Sequence, residues 1–278
     1  MNQHLDVVQA VIMAVLQGIT ELFPVSSLGH AVVLPHLLGW QIDQEAPGFL
    51  PFLVALHLGT ALALLIYFRT DWWCLLSSLW PQEDGPSTRE NRYLLALIVI
   101  GTIPAGLLGL LLEKRLALLF GRYQFSAVFL VLNGGLLCAG EWLRRRRRVR
   151  GLDELRPLQA AAIGMSQALA LLPGFSRSGA SMVGGLLVGL THQAAARFSF
   201  LLATPIILAA GLLEIPKLFQ PAARPELGPA VVGGAAAGMV AYASTAVLMR
   251  YFKQQEVYAL VPFGVYCALL GLAALLLG

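Results

Sequence analysis

Two short stretches hold most of the polar chemistry of an otherwise apolar chain: ELFPVSSLGH at 21–30 and LLPGFSRSGAS at 171–181. Gln17 and Glu21 are four apart, which puts both side chains on one face of a helix. An acidic group in an apolar span costs about 2.5 kcal/mol or more, so Glu21 must be paired, hydrated, protonated or metal-bound, unless it ends its helix at the membrane surface. Pro24 ends or kinks that helix. Ser26 and Ser27 follow, either as caps of the next helix or as nucleophile and phosphate ligand. Gly29 permits close backbone approach, and His30 can carry a proton near neutral pH. In the second stretch Ser176, Arg177 and Ser178 lie between Gly174 and Gly179. The Arg177 guanidinium suits phosphate oxygens, and exposed backbone N–H groups there favour the same anion. A salt bridge to Glu21 is the competing reading of Arg177; it leaves the hydroxyls and glycines unexplained. An acid, an imidazole, hydroxyls and an anion clamp form a kit for phosphoryl transfer to water. A site inside a membrane implies a lipid-borne phosphate. Of the other histidines, His57 lies within an apolar span and can line a cavity, whereas His4, His36 and His192 lack polar company.

The elements that position these residues are written in the hydropathy. Of 278 residues 58% are hydrophobic and 12% charged, against about 25% charged in soluble domains. A large soluble core is thereby excluded, and 1–278 reads as one polytopic, all-α membrane domain. Six segments of spanning length fall near 48–68, 93–112, 123–143, 196–215, 229–249 and 257–277. Four pieces are too short to span: roughly 6–22, 31–40, 158–172 and 179–190. They pair around the two polar stretches as re-entrant helix-loop-helix hairpins. QGITELFPVSSLG at 17–29 and QALALLPGFSRSG at 167–179 share one order: Gln, an apolar turn, Pro, serines, Gly. Each is followed by three spans, so the chain reads as inverted repeats at about 1–143 and 158–278. Chance likeness between apolar segments is the alternative.

A basic loop, 144–157, joins the halves. Its run Arg144 to Arg148 with Arg150 abuts an apolar span, which favours a cytoplasmic anchor over a nucleic-acid contact. Arg69, Arg89, Arg92, Arg156, Arg250 and Lys253 fall on the same side, against Lys114, Arg115, Arg122, Lys217 and Arg224 opposite. Both termini are therefore expected outside. Cys74, Cys138 and Cys267 are far apart and suggest neither disulfides nor a metal knuckle. The N-terminal VVQAVIMAVL lacks a basic flank and a cleavage site and is expected to remain in the mature protein.

With QGITELFPVSSLGH at 17–30, PGFSRSGAS at 173–181 and RFSFLLATP at 197–205, the chain resembles the undecaprenyl-diphosphate phosphatases of the bacitracin-resistance type along essentially its whole length. The resemblance implies an inner-membrane enzyme that releases phosphate from undecaprenyl diphosphate and returns the monophosphate carrier to peptidoglycan synthesis. It also implies a divalent cation, Mg²⁺ or Ca²⁺, and a site open to the periplasm. Gln17 and Glu21 match the family's (E/Q)xxxE element; a single carboxylate requires phosphate oxygens or water to complete a metal site. Position 28 is Leu, where the family often has a small hydroxyl residue, which shifts weight to Ser26 and Ser27. The implied roles are diphosphate binding for Arg177, metal holding or activation for Glu21 with Gln17, and acid–base work or direct attack for His30. Ser27 would be nucleophile or ligand, and Ser26, Ser176, Ser178 and Gly179 would complete the cradle. Serine, histidine and water all stay open as the attacking group. The implied partners are a polyprenyl diphosphate and membrane lipids, without nucleic acid; a homodimer stays open. An acid-phosphatase-like lipid phosphatase is disfavoured, because no K…RP pattern precedes the motifs and the first histidine after Arg177 is His192. A lipid or solute transporter is the non-enzymatic alternative, since inverted repeats with broken helices also serve transport.

Overall fold

The structure, a computed structural model, describes residues 7–40, 46–80, 85–117, 123–144 and 151–277, the side chains of Val7 and 113–117 excepted. Arg122, Arg145 to Arg148, Arg150 and both chain ends lie outside the described residues, as do the side chains of Lys114 and Arg115. The fold is all-α, with no sheet among the described residues. Its helices are α1 (Val7–Thr20), α2 (Ser27–Leu37), α3 (Phe49–Tyr67), α4 (Arg69–Ser77), α5 (Pro86–Ala117), α6 (Tyr123–Arg144), α7 (Pro157–Gln167), α8 (Arg177–Leu187), α9 (His192–Glu214), α10 (Leu227–Gln254) and α11 (Val261–Leu277).

All six expected spans are helical. Among the described residues five helices are long and apolar enough to cross a membrane, whereas α11 has 17 residues. The chain is a multi-pass membrane protein. The polar α4, with Asp71 in its first turn, was not anticipated; it follows α3 after Phe68 alone. The second arm of each short pair also starts earlier than hydropathy suggests, at Ser27 and Arg177 rather than near 31 and 179. The reason is capping: Ser26 and Ser176 each accept from the glycine N–H three residues on, so polar residues begin both helices.

The long helices approach closely where side chains vanish. A Cβ on Gly59 of α3 would stand 1.9 Å from the Gly234 carbonyl oxygen of α10, and one on Gly164 of α7 would stand 2.0 Å from the Gly101 carbonyl oxygen of α5. Small residues let backbones meet where lipid supplies no hydrophobic drive between helices. Phe198, Phe200, Leu201 and Leu202 put α9 at the centre of the largest buried cluster, which extends to α3, α5, α7 and α8. The short pairs seal the remaining faces: α1 packs on α10, α7 on α5, and α8 on α6 and α9.

Gly59→Ala should force α3 and α10 apart and cost about 1–3 kcal/mol, read as a lower Tm in detergent. Gly135→Ala, whose Cβ would meet nothing within 4 Å, should leave Tm unchanged.

Candidate active site

The two breaks meet in the middle of the fold and hold each other. A Cβ on Gly29 would lie 3.1 Å from the Gly174 Cα, and one on Gly179 would lie 3.2 Å from the Pro24 Cβ, so each break's glycine faces the other break. Gly174 has φ +115°, and a Cβ there would lie 2.4 Å from the Ser126 carbonyl oxygen, so only glycine fits. Asn133, fully buried on α6, joins the pair. Its amide donates to the Pro24 carbonyl at 3.2 Å and its carbonyl accepts from the Ser176 N–H at 3.0 Å. Ser178 Oγ donates to the carbonyl oxygens of Glu21 and Phe23 at 3.2 and 3.3 Å and lies 3.1 Å from Ser176 Oγ.

Glu21 is 6% exposed and is the hub of this junction. Its Oε1 accepts from Arg177 Nη2 at 2.9 Å and Nε at 3.2 Å. Its Oε2 accepts from Ser27 Oγ at 2.6 Å and from Gln17 Nε2 at 3.3 Å, and lies 3.2 Å from His57 Nε2. The expected i, i+4 pairing of Gln17 with Glu21 is present. So is the ion pair of Glu21 with Arg177, which occupies one edge of the guanidinium; Nη1 reaches the Ser199 carbonyl at 3.4 Å. The hydroxyls and glycines that the ion pair alone left unexplained are the caps and close contacts of the junction.

His57 faces this hub. Its Nδ1 donates to the Leu53 carbonyl at 2.8 Å, which turns Nε2 toward Glu21 and toward Ser27 Oγ at 3.5 Å. His30 is placed differently. Its Nδ1 donates to the Ser26 carbonyl at 2.6 Å and its Nε2 lies 2.8 Å from the Tyr266 hydroxyl of α11. The bond back to the carbonyl four residues earlier lays the ring toward α11, and both nitrogens are engaged. His30 thus supports the Ser26 backbone, while the imidazole beside the acid comes from α3.

Glu21, Ser26, Ser27, His57, Ser176 and Arg177 line one cleft of about 220 Å³, with Thr20 and Gln167. Leu50, Val54, Leu171, Ile206 and Ile207 form its other walls. A charged floor under apolar walls matches a phosphate carried on a hydrocarbon tail. Gln17, His30 and Ser27 border a much smaller neighbouring gap, and Ser178 and Gly179 sit behind the cleft as structural partners. Asn133 escaped the sequence reading, although a lone amide within FLVLNGGLL was a signal. Gln167 entered that reading only as a repeat landmark.

No group of three His, Cys, Asp or Glu side chains that could hold a metal occurs among the described residues. The donors present, one carboxylate with an amide and hydroxyls, fit an ion that takes its remaining ligands from a phosphate and water, and do not fit an all-protein cage.

Fold and site together define a polytopic membrane protein with a cluster of charged and polar side chains lining an apolar-walled cleft. The chain belongs to the family described as bacitracin resistance protein BacA, whose model matches residues 10–273. It is 54% identical over 273 residues to Undecaprenyl-diphosphatase 2 of Chromobacterium violaceum, covering 98% of this chain and 99% of that one. It is 50% identical to Undecaprenyl-diphosphatase of Acidiphilium cryptum, with 96% of each chain covered. Its identity to the protein of the same name from Gluconacetobacter diazotrophicus is 49%, over 97% and 96% of the two chains.

Asn133→Leu should strand the Pro24 carbonyl and the Ser176 N–H and lower stability by about 1–3 kcal/mol for each group. Asn133→Asp, which keeps the acceptor for Ser176 N–H but loses the donor to Pro24 and buries an unpaired carboxyl, should be at least as destabilised as Asn133→Leu. Thermal unfolding of the purified variants in detergent checks this order.

Proposed function

We propose that this chain is an undecaprenyl-diphosphatase of the bacterial cytoplasmic membrane. It hydrolyses undecaprenyl diphosphate to undecaprenyl phosphate and inorganic phosphate and so recycles the lipid carrier of peptidoglycan synthesis. Family membership and the names of the relatives support the activity. The observation that carries it in this molecule is the convergence of Arg177, Ser27 and His57 on Glu21 at the floor of an apolar-walled cleft.

Ser27 is the attacking group in this reading. Its Oγ attacks the terminal phosphorus, the bond from that phosphorus to the bridging oxygen breaks, and undecaprenyl phosphate leaves. The serine proton passes to Glu21 Oε2, 2.6 Å away, with His57 Nε2 as second acceptor. Water then cleaves the phosphoserine and restores the hydroxyl. Arg177 neutralises the charge on the transferring phosphoryl group. Ser26 and Ser176 cap α2 and α8, and the positive N-terminal ends of those two helices favour the same anion. His30 acts through Ser26, keeping Ser27 in line. Glu21, beside Gln17, would hold a Mg²⁺ or Ca²⁺ ion together with substrate oxygens, and such an ion would supply positive charge to the diphosphate. Every group named comes from one chain, so a single copy suffices.

The architecture proposed around this site has six spans and two re-entrant pairs, α1–α2 and α7–α8, in inverted repeats of 1–143 and 158–278. The packing supports it: α1 lies on α10 and α7 on α5, in each case the middle long helix of the other half. The 17 residues of α11 reach about 26 Å, enough for a locally thinned bilayer. Both termini and the cleft face the periplasm, with the arginine loop in the cytoplasm.

Phosphate release from undecaprenyl diphosphate in detergent tests the activity and separates it from transport, because detergent offers no compartments. Arg177→Ala should lower the rate roughly 10²–10³-fold, and Glu21→Gln, Ser27→Ala and His57→Ala roughly 10²–10⁴-fold. Normal rates in folded Arg177→Ala and Ser27→Ala proteins would overturn the assignment. Chelation with EDTA should stop release while leaving the Tm of the substrate-free protein unchanged, since the substrate completes the ion's shell.

A further inference from the structure

Gln167 is the last residue of α7 and is 2% exposed. Both ends of its amide are buried, and neither Nε2 nor Oε1 has a hydrogen-bond partner in the protein; among the described residues no other side chain has two such orphaned atoms. A buried amide left unpaired is costly, so native folds pair it with protein, water or ligand. Gln167 also lines the cleft that holds Glu21, Ser27, His57 and Arg177.

The comparison with Gln17 sharpens the point. The two glutamines stand at the head of the two similar stretches, at 17–29 and 167–179. Gln17 spends its Nε2 on Glu21, four residues on. The residue four beyond Gln167 is Leu171, and the chain tightens into a 3-10 turn at Ala168–Leu171. With no carboxylate on its own turn, the Gln167 amide is left to whatever occupies the cleft. It would add to the site an uncharged group that donates and accepts together.

We propose that Gln167 is a headgroup-binding residue: its Nε2–H donates to a phosphoryl oxygen of a lipid diphosphate, and its Oε1 accepts from a water bound beside that oxygen. This assignment rests on the hydrolase reading above. Glu21 and Arg177 provide charge, while Gln167 provides a directional, neutral contact that discriminates a hydrated phosphoryl group from a plain anion.

The test is Gln167→Met, which keeps length and apolar volume and removes both polar atoms. Phosphate release from undecaprenyl diphosphate is measured beside wild type, Arg177→Ala and Gly135→Ala. The expected result is a fall in kcat/KM of roughly 10- to 100-fold with Tm unchanged or raised, because an orphaned amide has been replaced by an apolar isostere. Thermal stabilisation of the wild type by a methylene-bridged polyprenyl diphosphonate should be weakened in the variant. A kcat/KM within about twofold of wild type, or a loss that tracks a lowered Tm, overturns the assignment. If wild type itself releases no phosphate, the hydrolase reading falls; if wild type is active and Gln167→Met matches it, only Gln167 is reassigned. Where Gln167→Met yields no folded protein, a structure of wild type with the diphosphonate decides. A phosphonate oxygen within about 3.5 Å of Nε2 supports the proposal, and an ordered headgroup beyond that reach ends it.

Discussion

A carboxylate taken out of water must be met on every side, and Glu21 is the point around which this fold is arranged. One oxygen takes two guanidinium bonds from Arg177; the other takes a hydroxyl and an amide and faces an imidazole. These groups arrive from α1, α2, α3 and α8. Removing one partner of such a buried pair leaves an uncompensated charge, which is why the elements that carry them cannot drift independently. The same convergence that satisfies the acid puts a hydroxyl, an imidazole and a guanidinium within a few ångströms of one another. Stability and chemistry here are two aspects of a single electrostatic requirement.

The junction around that acid is braced by neutral parts. Matching Ser-to-Gly caps start α2 and α8, two glycines let the breaks touch, and Asn133 ties a carbonyl of one to an N–H of the other. The two breaks are alike in their caps and unlike in charge. The first break carries the acid and the second the guanidinium, and the two glutamines have parted in the same way, one bound to protein and one unpaired in the cleft wall.

Much of this was legible before any coordinates. Apolar runs of about twenty residues located all six long segments, and the cost of a charge in such surroundings singled out Glu21 and Arg177. Hydropathy misplaced the starts of α2 and α8, because a helix capped by serine opens on polar residues that a hydropathy profile assigns to the loop. It also passed over α4, whose turn is polar. His57 was harder still: it sits among apolar neighbours in sequence, 36 residues beyond the acid it faces, and only the packing of α3 against the first break brings them together. His30, close to the acid in sequence, turns instead toward Tyr266. Asn133 shows the general limit, since a bridge between two breaks has no periodicity of its own.

The distances along the chain between these partners have a bearing on how the molecule is made. Pro24 precedes Asn133 by 109 residues, and Glu21 precedes Arg177 by 156. During synthesis on the ribosome the first break is therefore finished as covalent chain long before its neutralising guanidinium exists. Until the later half has been inserted, that acid must stay hydrated or protonated at the translocon or the bilayer surface. Full burial of the first break is thus a late event, and a truncated nascent chain ending in α6 would hold Asn133 for one break and, for its acid, the amide, hydroxyl and imidazole of α1, α2 and α3 without the guanidinium.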